Sequence, residues 1–172
     1  SEMLGVLANF TESEAPVDPA SVPGPSWIGR VLFRQLLAVY TRKDHGPNRG
    51  VPGRSRLALL GAALRFARGS GRVPRMHRWV PETTFEQVEA ASGKLSAAAE
   101  EVLERYYSIK VGSMQFCGAT SFKMSFWEGF ESLALTLPVI LWLARALSPA
   151  PIEQGVTKAL SIVDDHFGFN KL

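Results

Sequence analysis

Asp164, Asp165 and His166 form the triplet in this sequence best equipped for chemistry, since carboxylates and imidazoles bind metals and relay protons. Consecutive residues on a helix point about 100° apart, so the three cannot converge on one ion. Asp164 and His166 are the metal-ligand candidates, and the polar side of a last helical turn is their expected place. Cys117 is the only cysteine; it lies beside Gly118, just after a helix that carries Lys110. A thiol becomes nucleophilic where a cation or a helix N-terminus stabilises its thiolate, but between Phe116 and Phe122 burial is the plainer expectation. Glu128 and Glu131, three apart on a helix start, are either an acid/base pair or partners of the helix dipole. No local signature joins Cys117 to His45, His77 or His166 as a nucleophilic pair or triad. An enzyme would need a concavity where several of Tyr106, Tyr107, Lys110, Cys117 and Glu128 converge.

The largest departure from an even distribution is in the charges. Twelve of the nineteen basic residues fall between positions 27 and 80, where Asp44 is the only acid. The remainder holds seven basic residues against fifteen acidic ones. Such a split calls for an internal pairing or an acidic partner. Thirteen of the basic residues are arginine, which favours bidentate pairing with carboxylate or phosphate. No helix-turn-helix spacing, zinc-finger pattern or stacking motif accompanies them, so nucleic acid is the less favoured partner. An acidic protein, or the remainder of the same polypeptide, is the expected one. Arg30, Arg34, Arg54, Arg65 and Arg68 are the expected contact residues.

Positioning these groups falls to helices. The 172 residues suit one domain with a real core, and 46% hydrophobic against 20% charged residues argues for a folded chain. A single cysteine excludes an intramolecular disulfide and a multi-cysteine zinc site, and makes a reducing, cytoplasmic setting the expectation. The first ten residues carry no basic or long apolar segment, so no secretory signal is expected there. The run 133–147 is the one membrane candidate, about five residues short of a crossing, and reads better as a buried core helix.

Residues 1–25 read as the end of a preceding helix followed by a Pro-rich linker, as in a piece of a longer protein, and 26–172 as a helical domain. Within it the spacing predicts helices over 27–43, with Ser26 as N-cap and Trp27, Val31, Leu32, Gln35, Leu36 and Val39 as its stripe, and over 54–68. Leu57, Leu60, Ala63, Leu64 and Ala67 form the second helix's expected buried stripe. A short helix follows the capping box at Thr84 and Gln87, and another covers 96–116 with Leu95, Ala99, Val102, Leu103, Tyr106, Ile109 and Lys110 inward. A second capping box, Ser125 with Glu128, opens a central helix over 126–147 that Pro138 should kink. The last helix, 152–167, turns Val156, Ala159, Leu160, Ile162 and Val163 inward. Nothing alternates with period two, so the fold class is all-α, about six helices around the central one.

The segments VLFRQLLAVYTRKDH (31–45), RYYSIKVGSMQFCGA (105–119), FWEGFESLALTLPVILWLARALS (126–148) and IVDDHFGFNKL (162–172) resemble the C-terminal part of bacterial cysteine-cluster proteins. That zinc- or iron-chelating family includes the flagellin lysine N-methylases. The resemblance implies a C-terminal module, with a metal or iron–sulfur cluster held by an N-terminal cysteine run of the full-length protein. No cofactor is expected in this chain, whose single cysteine is Cys117. The expected function is a non-catalytic helical module that supports the metal-bearing part or docks a partner through its arginine-rich face. The alternatives are part of a methyltransferase-like enzyme, with a site near Tyr106, Lys110 and Cys117, and a nucleic-acid-binding domain.

Overall fold

The structure, a computed structural model, describes residues 24–40, 56–74, 80–90, 95–118, 121, 123–147 and 152–167. The chain divides into two compact units, Ser1–Arg30 and Val31–Leu172. The described part of the first is the start of a helix. Ser26 caps it as expected, its Oγ accepting from the Gly29 N–H at 3.1 Å, and Arg30 Nε donates to the Pro25 carbonyl at 3.2 Å.

Among the described residues there are six helices: α1 (Trp27–Tyr40), α2 (Arg56–Arg68), α3 (Phe85–Ala90), α4 (Ala97–Gly112), α5 (Phe126–Leu147) and α6 (Ile152–Phe167). Among the described residues there is no strand, only isolated bridges joining Arg72 to Thr84 and Gly118 to Met124. The fold is therefore all-α. The bounds of α5 and α6 are those expected from capping and periodicity. Both capping boxes form: Thr84 and Gln87 exchange backbone-to-side-chain bonds of 3.1 and 3.2 Å, and Ser125 and Glu128 do so at 2.9 and 3.4 Å. Helix α4 stops before the expected 116. The Ser113 N–H and hydroxyl both donate to the Ile109 carbonyl, at 2.9 and 2.6 Å, and Met114 takes a left-handed φ of 54°, which no helix continues. The expected C-terminal turn of α1 and the start of α2 lie outside the described residues.

Helix α5 organises the second unit. It packs along α6 and against α3, while α4 packs on α6. Its C-terminal half is buried nearly all round, through Val139, Ile140, Trp142, Leu143, Ala144, Ala146 and Leu147. The expected inward face of α6 is buried in full. Pro138 lies on the exposed side, and the helix runs through it; Ala134, whose carbonyl loses its usual N–H donor there, is also exposed, so water can replace the bond. A first aromatic group joins α2, α3 and α5: Phe66 meets Phe85 edge-on at 5.3 Å, and Trp142 lies 6.4 and 6.1 Å from the two. A second gathers Phe116, Phe126 and Phe130 at the start of α5.

Three expected stripes are corrected. Among the described side chains of α2, Ala62 and Phe66 are buried, while Leu57, Leu60 and Leu64 are 79%, 58% and 63% exposed. The helix is apolar on all sides, so three-to-four spacing cannot choose its inward face; the packing of Phe66 against Phe85 and Trp142 does. On α1 Leu37 and Ala38 are buried and Leu32 is exposed. On α4 Ala99 and Leu103 are buried, whereas Val102 and Ile109 face outward.

Candidate functional site

Tyr106 and Lys110 are one helical turn apart on α4, hence on one face. The packing of α4 on α6 brings that face to Asp164. Lys110 Nζ lies 2.5 Å from Asp164 Oδ1, and the Tyr106 hydroxyl donates to the same oxygen at 3.3 Å. The ammonium also sits 5.4 Å from the centroid of the Tyr106 ring and donates to Gln115 Oε1 at 3.3 Å. Two residues expected near an active site and one expected as a metal ligand thus meet. Together they form an ion pair with a phenol beside it, tying α4 to α6. Tyr107 makes a second tie, from α4 to α5. The Thr136 hydroxyl gives its only proton to the Leu133 carbonyl at 2.6 Å, so the Tyr107 hydroxyl, 2.7 Å away, is the donor to Thr136. Burial pushes the Tyr107 phenol above its ordinary pKa, against the smaller opposing effect of that hydrogen bond.

The other candidates have local roles. Cys117 is half-buried in the turn after α4, its Sγ 3.8 Å from the Met114 carbonyl. Glu128 is the capping carboxylate of α5 and also accepts from the Ser125 hydroxyl at 2.7 Å. The His166 side chain lies outside the described residues, and Asp164 faces Lys110. Among the described residues no group of three His, Cys, Asp or Glu side chains could hold a metal ion.

Three carboxylates at helix starts are held below the ordinary glutamate range. Glu86 accepts from the Gly71 N–H at 2.8 Å, Glu128 from the Ser125 hydroxyl and N–H, and Glu153 from the Ser96 hydroxyl. Groups with lowered folded-state values stabilise the fold above the unfolded value, about 4.3, and lose that contribution as pH falls through the folded values. The urea midpoint is therefore expected to fall between neutral pH and about pH 3, and the triple variant Glu86→Gln, Glu128→Gln, Glu153→Gln to flatten that acid limb. An unchanged acid limb in the triple variant would show that these carboxylates do not set it.

The arginines expected to form a contact face divide into two kinds. Arg34 grips Glu89 of α3 with a bidentate pair, Nε to Oε1 at 2.9 Å and Nη2 to Oε2 at 2.6 Å, which raises its pKa further. Its guanidinium lies over Gly69, where a Cβ would come within 2.0 Å of Cζ. With its side chain 16% exposed, Arg34 is a structural link, a correction to its place among the contact residues. Arg30, in the first unit, is exposed, and so are Arg65 and Arg68 on α2. Arg54 lies outside the described residues.

At about 100° per residue, Leu57, Leu60, Gly61, Leu64 and Arg68 share the outward side of α2, with Arg65 at its edge, opposite Ala62 and Phe66. The helix reads RLALLGAALRFAR. Apart from arginine it has no polar residue, so once Phe66 is buried some leucines must face water; that was the signal in the sequence. Comparison with known proteins found no matching family model, curated protein or solved structure.

Proposed function

We propose that this chain is a non-catalytic helical docking module that presents the exposed side of α2 to an acidic protein or to a further part of the same polypeptide. The observation that supports this reading is the side-by-side exposure of three leucines and two arginines, Arg65 and Arg68, on a helix whose other side is anchored in the core. Scattered exposed leucines need no explanation, but three on one helical side with a basic border favour an interface. Tyr106, Lys110 and Asp164 are engaged with one another between packed helices, which favours a structural use over the methyltransferase-like one. The exposed leucines among the arginines of α2, whose one aromatic, Phe66, is buried, favour a protein over nucleic acid. Helix α5 is long and apolar enough to cross a bilayer, and 50% of that window is buried within the protein. We read it as the core helix of a cytoplasmic module. The resemblance to cysteine-cluster proteins is the ground for placing the module beside a metal-bearing segment. Elemental analysis is expected to find metal in such a full-length parent and none in this chain.

The docking reading is tested with poly-glutamate as the probe. The chain should bind it at low salt and release it as salt rises. The double variant Arg65→Glu, Arg68→Glu should lose binding while its unfolding free energy stays within about 0.5 kcal/mol of the parent, as exposed sites allow. A parent chain that does not bind the polyanion would overturn the docking reading.

A further inference from the structure

We infer that the occupant of the α2 face is an acidic amphipathic helix that lays its own apolar stripe along Leu57, Leu60 and Leu64 and brings carboxylates to Arg65 and Arg68; this deepens, and rests on, the docking reading above. The three leucines stand at i, i+3 and i+7, the spacing by which one helix engages another. A strand or an irregular segment would not follow a stripe of that pitch, about 10 Å long.

Charge selects among helices. Positions 45–81 contain no acidic residue, and Arg65 and Arg68 stand exposed at the C-terminal end of the stripe. A second copy of α2 carries no acidic residue and so offers Arg65 and Arg68 no carboxylate in either direction, which favours a carboxylate-bearing helix over self-pairing.

Gly61 supplies an independent observation. A glycine inside a helix is about 1 kcal/mol worse than alanine. Among the described residues a Cβ at Gly61 would meet nothing within 4 Å, so no contact there requires its absence. It lies between Leu57 and Leu64 on the exposed side, where a missing side chain lets a second helix approach closely.

The test uses fluorescein-labelled peptides of about five helical turns and reads anisotropy. One peptide carries leucines at helical spacing flanked by glutamates; a second replaces the glutamates with lysines; a third scrambles the first. The periodic acidic peptide is expected to bind at least about tenfold more tightly than either control. Leu60→Asp should abolish its advantage over the scrambled peptide, and Arg65→Glu with Arg68→Glu should reverse the preference between the glutamate and lysine versions. Far-UV circular dichroism checks that each variant is folded. If the scrambled acidic peptide binds as well as the periodic one, and charge reversal removes both, the docking reading stands and the helical occupant is wrong. If no acidic probe binds, both fall. Self-association in sedimentation that Leu60→Asp disperses would replace the acidic helix by a second copy. Tighter binding of an RNA oligonucleotide, insensitive to Leu60→Asp, would overturn both in favour of nucleic acid.

Discussion

Replacing Phe66 by alanine is expected to destabilise the fold by about 3–5 kcal/mol, the range for removing a fully buried phenylalanine. Phe66 is 0% exposed and joins three helices: its ring meets Phe85 of α3 at 5.3 Å with an interplanar angle of 87°, and Trp142 of α5 at 6.4 Å. The loss combines apolar burial, two aromatic contacts of about 0.5–1.5 kcal/mol each, and the cavity left behind. That cavity cannot close easily. Its walls include the rings of Trp142 on α5, a helix held along α6, and of Phe85 on α3, whose Glu89 is clamped by Arg34. Domains of this size are stable by about 5–15 kcal/mol, so the variant should populate unfolded chain under mild urea. Leu64, two residues earlier, is the control. It faces outward, and Leu64→Ala should change stability by no more than about 0.5 kcal/mol. Urea midpoints of the two variants decide the matter. A larger loss for Leu64→Ala than for Phe66→Ala would mean that α2 is inserted the other way round, and the docking face would vanish with it.

That comparison marks where the sequence was legible. Helices α5 and α6 were readable to the residue because local chemistry punctuates them: the Ser125–Glu128 box opens one, the Ser-Pro-Ala-Pro run at 148–151 closes it, and Ile152 starts the next. The buried face of α6 was readable because its polar residues from Glu153 to Asp164 are confined to the other side. Helix α2 offers no such contrast, for its apolar residues encircle it. Which side faces in depends on Phe85 and Trp142, respectively 19 and 76 positions beyond Phe66 in the chain, and no local pattern holds that information. The end of α4 was overestimated for a similar reason: Met114 and Phe116 look compatible with a helix, but the serine cap at 113 and the aromatic group around Phe126 and Phe130 draw the chain into a turn.

The candidate residues show the same limit from the side of chemistry. Residue type alone put Tyr106, Lys110 and Glu128 in a possible active site and Arg34 on a contact face. Each proves to have a partner that sequence could not choose: Asp164 is 54 positions from Lys110 and Glu89 is 55 from Arg34. Glu128 is the exception. Its partner is three residues away, and its capping role was legible beside the catalytic one. Long-range ion pairs convert conspicuous side chains into structural ties. On α2, by contrast, Leu57, Leu60, Leu64, Arg65 and Arg68 remain exposed.

The second large effect is expected at Gly129. It is buried in the first turn of α5, and a Cβ there would lie 2.1 Å from the Phe116 carbonyl oxygen, 2.9 Å from its carbon and 3.1 Å from Cys117 Cβ. The obstacle is backbone, which cannot rotate aside as a side chain would. Nor can the turn simply withdraw. The Gly118 N–H donates to the Met124 carbonyl and the Lys123 N–H to the Gly118 carbonyl, both at 2.9 Å, and the Phe116 ring is lodged against Phe126 and Phe130. Alanine would gain about 1 kcal/mol in helix propensity; forced overpacking costs about 1–3 kcal/mol and occasionally more. Contact at this distance belongs at the upper end, so Gly129→Ala should lose about 2 kcal/mol net and Gly129→Val more. Gly61→Ala, in open space on α2, should go the other way and gain up to about 1 kcal/mol. Thermal melts of the two alanine variants thus test opposite signs of one substitution. In Gly129→Ala, Cys117 should also react faster with a thiol reagent, since the turn that half-covers it must move. A Gly129→Ala protein as stable as the parent, with unchanged Cys117 labelling, would mean that α5 does not approach the turn this closely.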